Sequence, residues 1–103
     1  MPDLNANDAG LVLEFVIRKF DDNFVDITGG TIRFKVKQIN TTVNKINTIC
    51  TITTPLQGRC KYTTISTDLN TTGVYDGELE VTIGSQITTI PLGRFKINTD
   101  LPN

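Results

Sequence analysis

The sequence predicts an all-β domain, an antiparallel β-sandwich of about seven strands, and three observations carry that prediction. β-Branched residues fill 36 of 103 positions (17 Thr, 12 Ile, 7 Val), whereas alanine occurs only at Ala6 and Ala9. Branching at Cβ restricts χ1 in a helix and suits the pleated surface of a sheet. Apolar and polar residues alternate with a period of two through much of the chain, as in strands that bury one face. Clusters of Gly, Pro, Asn and Asp separate these runs at short intervals, the rhythm of a two-layer sandwich.

The elements follow in order. Leu11 to Lys19 places Leu11, Leu13, Phe15 and Ile17 on one face and Glu14 and Arg18 on the other. Asp21-Asp22-Asn23 is turn chemistry, Phe24 to Ile27 is a brief extended piece, and Thr28-Gly29-Gly30 ends it. Thr31 to Gln38 turns Ile32, Phe34 and Val36 inward and Arg33, Lys35 and Lys37 outward; Asn40 to Asn44 is a loop. Lys45 to Thr53 and Arg59 to Ile65 are consecutive strands, with Thr54-Pro55-Leu56 as the tip of a hairpin that sets Cys50 opposite Cys60. Val74 to Ile83 has Tyr75, Leu79, Val81 and Ile83 on one face against Asp76, Glu78, Glu80 and Thr82 on the other. Gly84-Ser85 fits a two-residue hairpin turn into Gln86 to Asn98, where Pro91 and Gly93 predict an edge position or a bulge.

A chain of 103 residues and 11.4 kDa has room for one core, so residues 1–103 form a single domain, with flexible ends expected near 1–10 and 99–103. Ten basic and 11 acidic residues give a net charge of −1, which offers no general attraction to nucleic acid or to an anionic membrane. No apolar run approaches the roughly 20 residues that span a bilayer as a helix, and the first ten residues lack the basic start and apolar stretch of an export signal. The expectation is a protein that stays in the cytoplasm where it is made and needs neither membrane nor nucleic acid.

With no histidine, Cys50, Cys60, Ser66 and Ser85 lack the usual base for nucleophilic catalysis. Two cysteines are too few for a zinc site, and their placement suits either a disulfide or two small buried thiols, with thiols the expectation in a reducing cytosol. Asp76, Glu78 and Glu80, alternating along one strand, read as a solvated face in preference to a carboxylate active site or a calcium site. Arg33, Lys35 and Lys37 form the matching basic stripe, suited to cross-strand pairing or to a charged protein neighbour. Asp21, Asp22, Asn23 and Asp26 lack the spacing of a calcium loop, and Gly29-Gly30 precedes no helix that could hold a phosphate. The sequons at Asn40 and Asn70 read as threonine-rich loops. Catalytic, metal and cofactor sites are therefore expected to be none. Gly73-Val74-Tyr75, just before the strongest alternation, is how a tyrosine corner appears in immunoglobulin-like sandwiches, with the ring buried and the hydroxyl on nearby backbone.

The order of landmarks adds a resemblance. Leu13-Glu14-Phe15-Val16-Ile17 is followed by Val25-Asp26-Ile27-Thr28-Gly29, then Thr31-Ile32-Arg33-Phe34-Lys35-Val36. Gly58-Arg59-Cys60-Lys61-Tyr62, the Asp68 turn, Gly73 to Val81, Ile90-Pro91 and Phe95-Lys96-Ile97 come after. Over about residues 10 to 98 the chain resembles the N-terminal domain of phage baseplate upper proteins. The resemblance implies an immunoglobulin-like β-sandwich acting as a non-enzymatic attachment or adaptor module of a virion tail, baseplate or fibre. It further implies several symmetric copies, other virion proteins as partners, and no cofactor. That family's anchor domain normally continues into a long fibrous or receptor-binding part, whereas this sequence ends at Asn103. The alternatives are a capsid decoration protein on the major capsid protein and a host-surface carbohydrate-binding module. The latter calls for exposed aromatic residues, and the chain has no tryptophan.

Overall fold

The computed structural model describes residues 3–19, 21 and 23–98. Eight strands occur among them: β1 (Leu4–Asn5), β2 (Val12–Val16), β3 (Thr31–Gln38), β4 (Asn44–Ile49), β5 (Thr51–Thr54), β6 (Arg59–Thr63), β7 (Gly73–Ile83) and β8 (Gln86–Asn98). One sheet has the order β1-β8-β7-β3-β4 and the other β2-β6-β5, the two layers of an all-β sandwich-like fold. All pairings are antiparallel except β1 with β8, which run parallel with Leu4 opposite Ile97.

Alternation sets which side chains enter the core. Ile32, Phe34 and Val36 of β3, Tyr75, Leu79 and Val81 of β7, and Phe95 and Ile97 of β8 are buried from one layer. Cys60 and Tyr62 of β6 are buried from the other, with Leu13 and Phe15 of β2 packed against the cluster. Phe34 joins the layers, its ring centroid 5.3 Å from Phe15 and 5.4 Å from Tyr62. Tyr75 and Phe95 stack at 5.9 Å further along the larger sheet.

The structure departs from the sequence expectation in four places. Phe24 to Ile27 makes one isolated bridge, Arg18 to Phe24, instead of a strand. Asp26 accepts hydrogen bonds from the Thr28 backbone (2.9 Å) and hydroxyl (2.5 Å), so the chain turns before a ladder can form. The run Lys45 to Thr53 divides at Cys50, where the chain leaves one sheet for the other: the Cys50 N–H still bonds Ile32 O at 2.7 Å, while Thr51 already pairs with Lys61 of β6.

The third departure is the register of β5 on β6, which puts Ile52, and not Cys50, opposite Cys60. The connection is a 3-10 turn, Pro55–Gln57, closed by Gly58 at φ 65°, and its centre lies one residue beyond the expected tip. Moving a hairpin's centre by one residue shifts the pairing by two, which keeps every side chain on its face. Both cysteines therefore stay inward. The fourth concerns the expected flexible start: Leu4 and Ala6 are buried, and Ala6 N–H donates to Asn98 O at 2.6 Å. The expected flexible stretch 99–103, like Asp22, lies outside the described residues.

Candidate functional site

The two charge stripes meet on the outer face of the larger sheet. The β3–β7 register sets Arg33 opposite Glu80, Lys35 opposite Glu78 and Lys37 opposite Asp76. Lys35 Nζ reaches diagonally to Glu80 Oε2 at 2.8 Å, Arg94 Nε of β8 pairs with Asp76 Oδ1 at 3.2 Å, and Arg33 Nη1 donates to Asn47 Oδ1 at 3.0 Å. Each such pair at the surface contributes about 0.2–1 kcal/mol, enough to favour one register but too little to hold the fold. Gly77 and Gly93 face each other across β7 and β8, and with Pro91 they leave a hollow of about 530 Å³ rimmed by Lys35, Lys37, Asp76 and Glu78. The hollow is open and mixed in charge.

The side chains that could have carried chemistry hold turns and corners. Tyr75 is 1 % exposed and its hydroxyl donates to Thr71 O at 2.7 Å, the tyrosine-corner arrangement; burial raises its pKa above the ordinary 10.0. Asp21 accepts from the Asn23 backbone and side chain, at 3.2 and 2.9 Å. Asp26, fully exposed, has its pKa lowered by the hydrogen bonds from Thr28, the hydroxyl first. Ser66 and Ser85 are exposed turn residues, and Gly29, at φ 73°, belongs to the turn before β3. Among the described residues no group of three or more Cys, Asp or Glu is arranged to hold a metal ion. No helix among them is long and apolar enough to cross a membrane.

Sequence reasoning missed one buried pair. Tyr62 Oη donates to Asp68 Oδ2 at 2.5 Å, and the same oxygen accepts the Ile65 N–H at 2.9 Å. Burial first, and the Asp68 hydrogen bond second, push the Tyr62 phenol up to about 12. The signal was present as an inward tyrosine at the end of a strand with an aspartate six residues later, inside the turn.

Cys50 and Cys60 are both buried and free. The neighbouring Cys60 thiol, and then burial, push the Cys50 pKa up, while Cys50 draws Cys60 down. The physical cause is shared: whichever thiolate forms first is held by the remaining S–H and disfavours the second charge.

A second hollow, of about 380 Å³, lies between β7 and β8 of the larger sheet and the segment that follows β2. Ile17, Val25, Val81, Ile83 and Ile90 make it apolar, and Arg18 and Lys19 stand at its edge, with the Arg18 guanidinium 4.8 Å from the Phe24 ring centroid. No family model matches the chain, and no curated protein matches it in sequence.

Proposed function

We propose that this chain is a non-enzymatic structural protein of a bacteriophage virion, an attachment or adaptor module of the tail, baseplate or fibre that binds neighbouring virion subunits. The observation that carries the reading is what its polar side chains do. The Tyr75 and Tyr62 hydroxyls, Asp68 and the Asp76–Arg94 and Lys35–Glu80 pairs all bind other parts of the same domain. Such a molecule presents a rigid, patterned surface, and its charge stripes suit the choice of a neighbour's register more than the supply of affinity. The order of landmarks from Leu13 to Ile97 supports the phage setting. A domain this small has a modest core, and docking to a particle would add stability by mass action.

The test is the copy number of the chain in purified virions, by quantitative mass spectrometry against the major capsid protein. A few to a few tens of copies is expected, in keeping with the rotational symmetry of a tail or baseplate. A count on the order of hundreds would replace this reading with capsid decoration, and absence from the particle would overturn both.

A further inference from the structure

We propose that residues Gln86 to Ile90 of β8 form a self-complementary edge through which two copies of this chain pair antiparallel about a twofold axis at Thr88. The pairing would continue the larger sheet from one copy into the next, and it does not depend on the particle reading.

Four features of the edge carry the proposal. First, β1 covers β8 only at Ile97 and Asn98, so among the described residues Gln86 to Ile90 have β7 on one side and no strand on the other. Second, the direction of the free backbone groups is fixed by the hairpin. Gly84, at φ 60°, opens a two-residue turn with Ile83 opposite Gln86, the pair that exchanges both backbone bonds. Alternation then aims the N–H and C=O groups of Ile87 and Thr89 away from β7.

Third, this spacing is self-complementary. In an antiparallel pair centred on Thr88, Ile87 of each copy faces Thr89 of the other, and both residues supply outward-pointing groups. Thr88 meets its own symmetry mate, a favourable cross-strand pair. Fourth, the paired strands oppose no like charges, because Gln86 to Gly93 contains no charged residue.

Edge strands are usually protected by charge, proline, a bulge or shortness. The other edges have such protection: Lys45 lies on β4, Glu14 on β2, and β5 is four residues long with a register shift. On β8 the protection begins only at Pro91, which lacks an N–H and ends the docking length. Ile87 meanwhile is 64 % exposed beside the axis.

The experiment is sedimentation equilibrium of the full chain up to about 500 µM, a range that captures weak dimers. It is joined by amide hydrogen exchange at Ile87 and Thr89. The expected result is a dimer whose Ile87 and Thr89 amides gain protection as concentration rises. Ile87→Lys and Thr89→Lys should each weaken association at least about tenfold while leaving the far-UV spectrum and Tm unchanged, since both side chains are exposed. A wild-type chain that stays monomeric with unprotected amides overturns the proposal. So does a dimer that both lysine variants leave intact, and so does protection that appears only in assembled particles, which would assign the edge to a different subunit.

Discussion

Tyr62 and Asp68 form a buried polar contact with a measurable consequence. Replacing Asp68 with Ala leaves the Tyr62 hydroxyl and the Ile65 N–H without their acceptor, and a loss of about 2–4 kcal/mol is expected from urea unfolding. The pair also sets a pH response. The phenol ionises near 10.0 in the unfolded chain and near 12 in the fold, so below pH 10 both states keep the proton and the stabilisation is complete. Between those values the unfolded chain binds fewer protons, and stability falls as pH rises. Tyr75, also raised, contributes in the same direction, so Tyr62→Phe should lessen the alkaline decline in Tm without abolishing it. The two thiols supply another expectation at this scale. With Cys50 at 5 % and Cys60 at 1 % exposure, a thiol reagent should label neither in the folded protein and both in urea. The Tyr75 corner was legible in the sequence because Gly73, Tyr75 and the alternation after them are local. The Tyr62–Asp68 bond was not, because it depends on how the turn after β6 brings residue 68 back over residue 62.

Among the elements, the β5–β6 connection shows what periodicity can and cannot specify. Alternation put Ile52, Cys60 and Tyr62 on the inner face, and that parity survives in the structure. The register did not follow, since it depends on whether Pro55 to Gln57 wind into a 3-10 turn or form a tight tip. Gly58 makes the wound form possible. It sits at φ 65°, donates to Pro55 O, and accepts the Ile17 N–H at 2.8 Å, and any Cβ would overlap the Ile17 carbonyl oxygen. Gly58→Ala should therefore cost roughly 2–4 kcal/mol, from left-handed backbone strain together with overpacking. Thermal unfolding beside Gly84→Ala, where no atom lies within 4 Å of an added Cβ, separates the two contributions. Strand existence was clear wherever alternation ran for five residues or more, as in β2, β3 and β7. It failed at Phe24 to Ile27, where the segment is short and Asp26 competes for the backbone.

For the whole molecule, the larger share of stability comes from the layer between the sheets. Phe34 is fully buried and touches both layers, and Phe34→Ala should lose about 3–5 kcal/mol in urea unfolding. Raising the salt to about 1 M should change stability by less than about 1 kcal/mol, because the ion pairs lie on an exposed face where screening removes little. The sandwich class was readable from composition and period. The strand order, and the open cleft it leaves beside β8, come from long-range pairing that no local pattern encodes.

The parallel contact between β1 and β8 has a mechanical meaning. These strands lie side by side, joined at Leu4 with Ile97 and Asn5 with Asn98, by Ala6 N–H to Asn98 O, and by the Lys96 N–H to Asp3. Tension applied between Asp3 and Asn98 would draw the two strands past each other along their length, loading these bonds together instead of peeling them one at a time. Resistance to such a pull is governed by the rate of opening and not by the equilibrium stability. A linker attached at either end would therefore transmit force into this short clasp before the rest of the domain felt it.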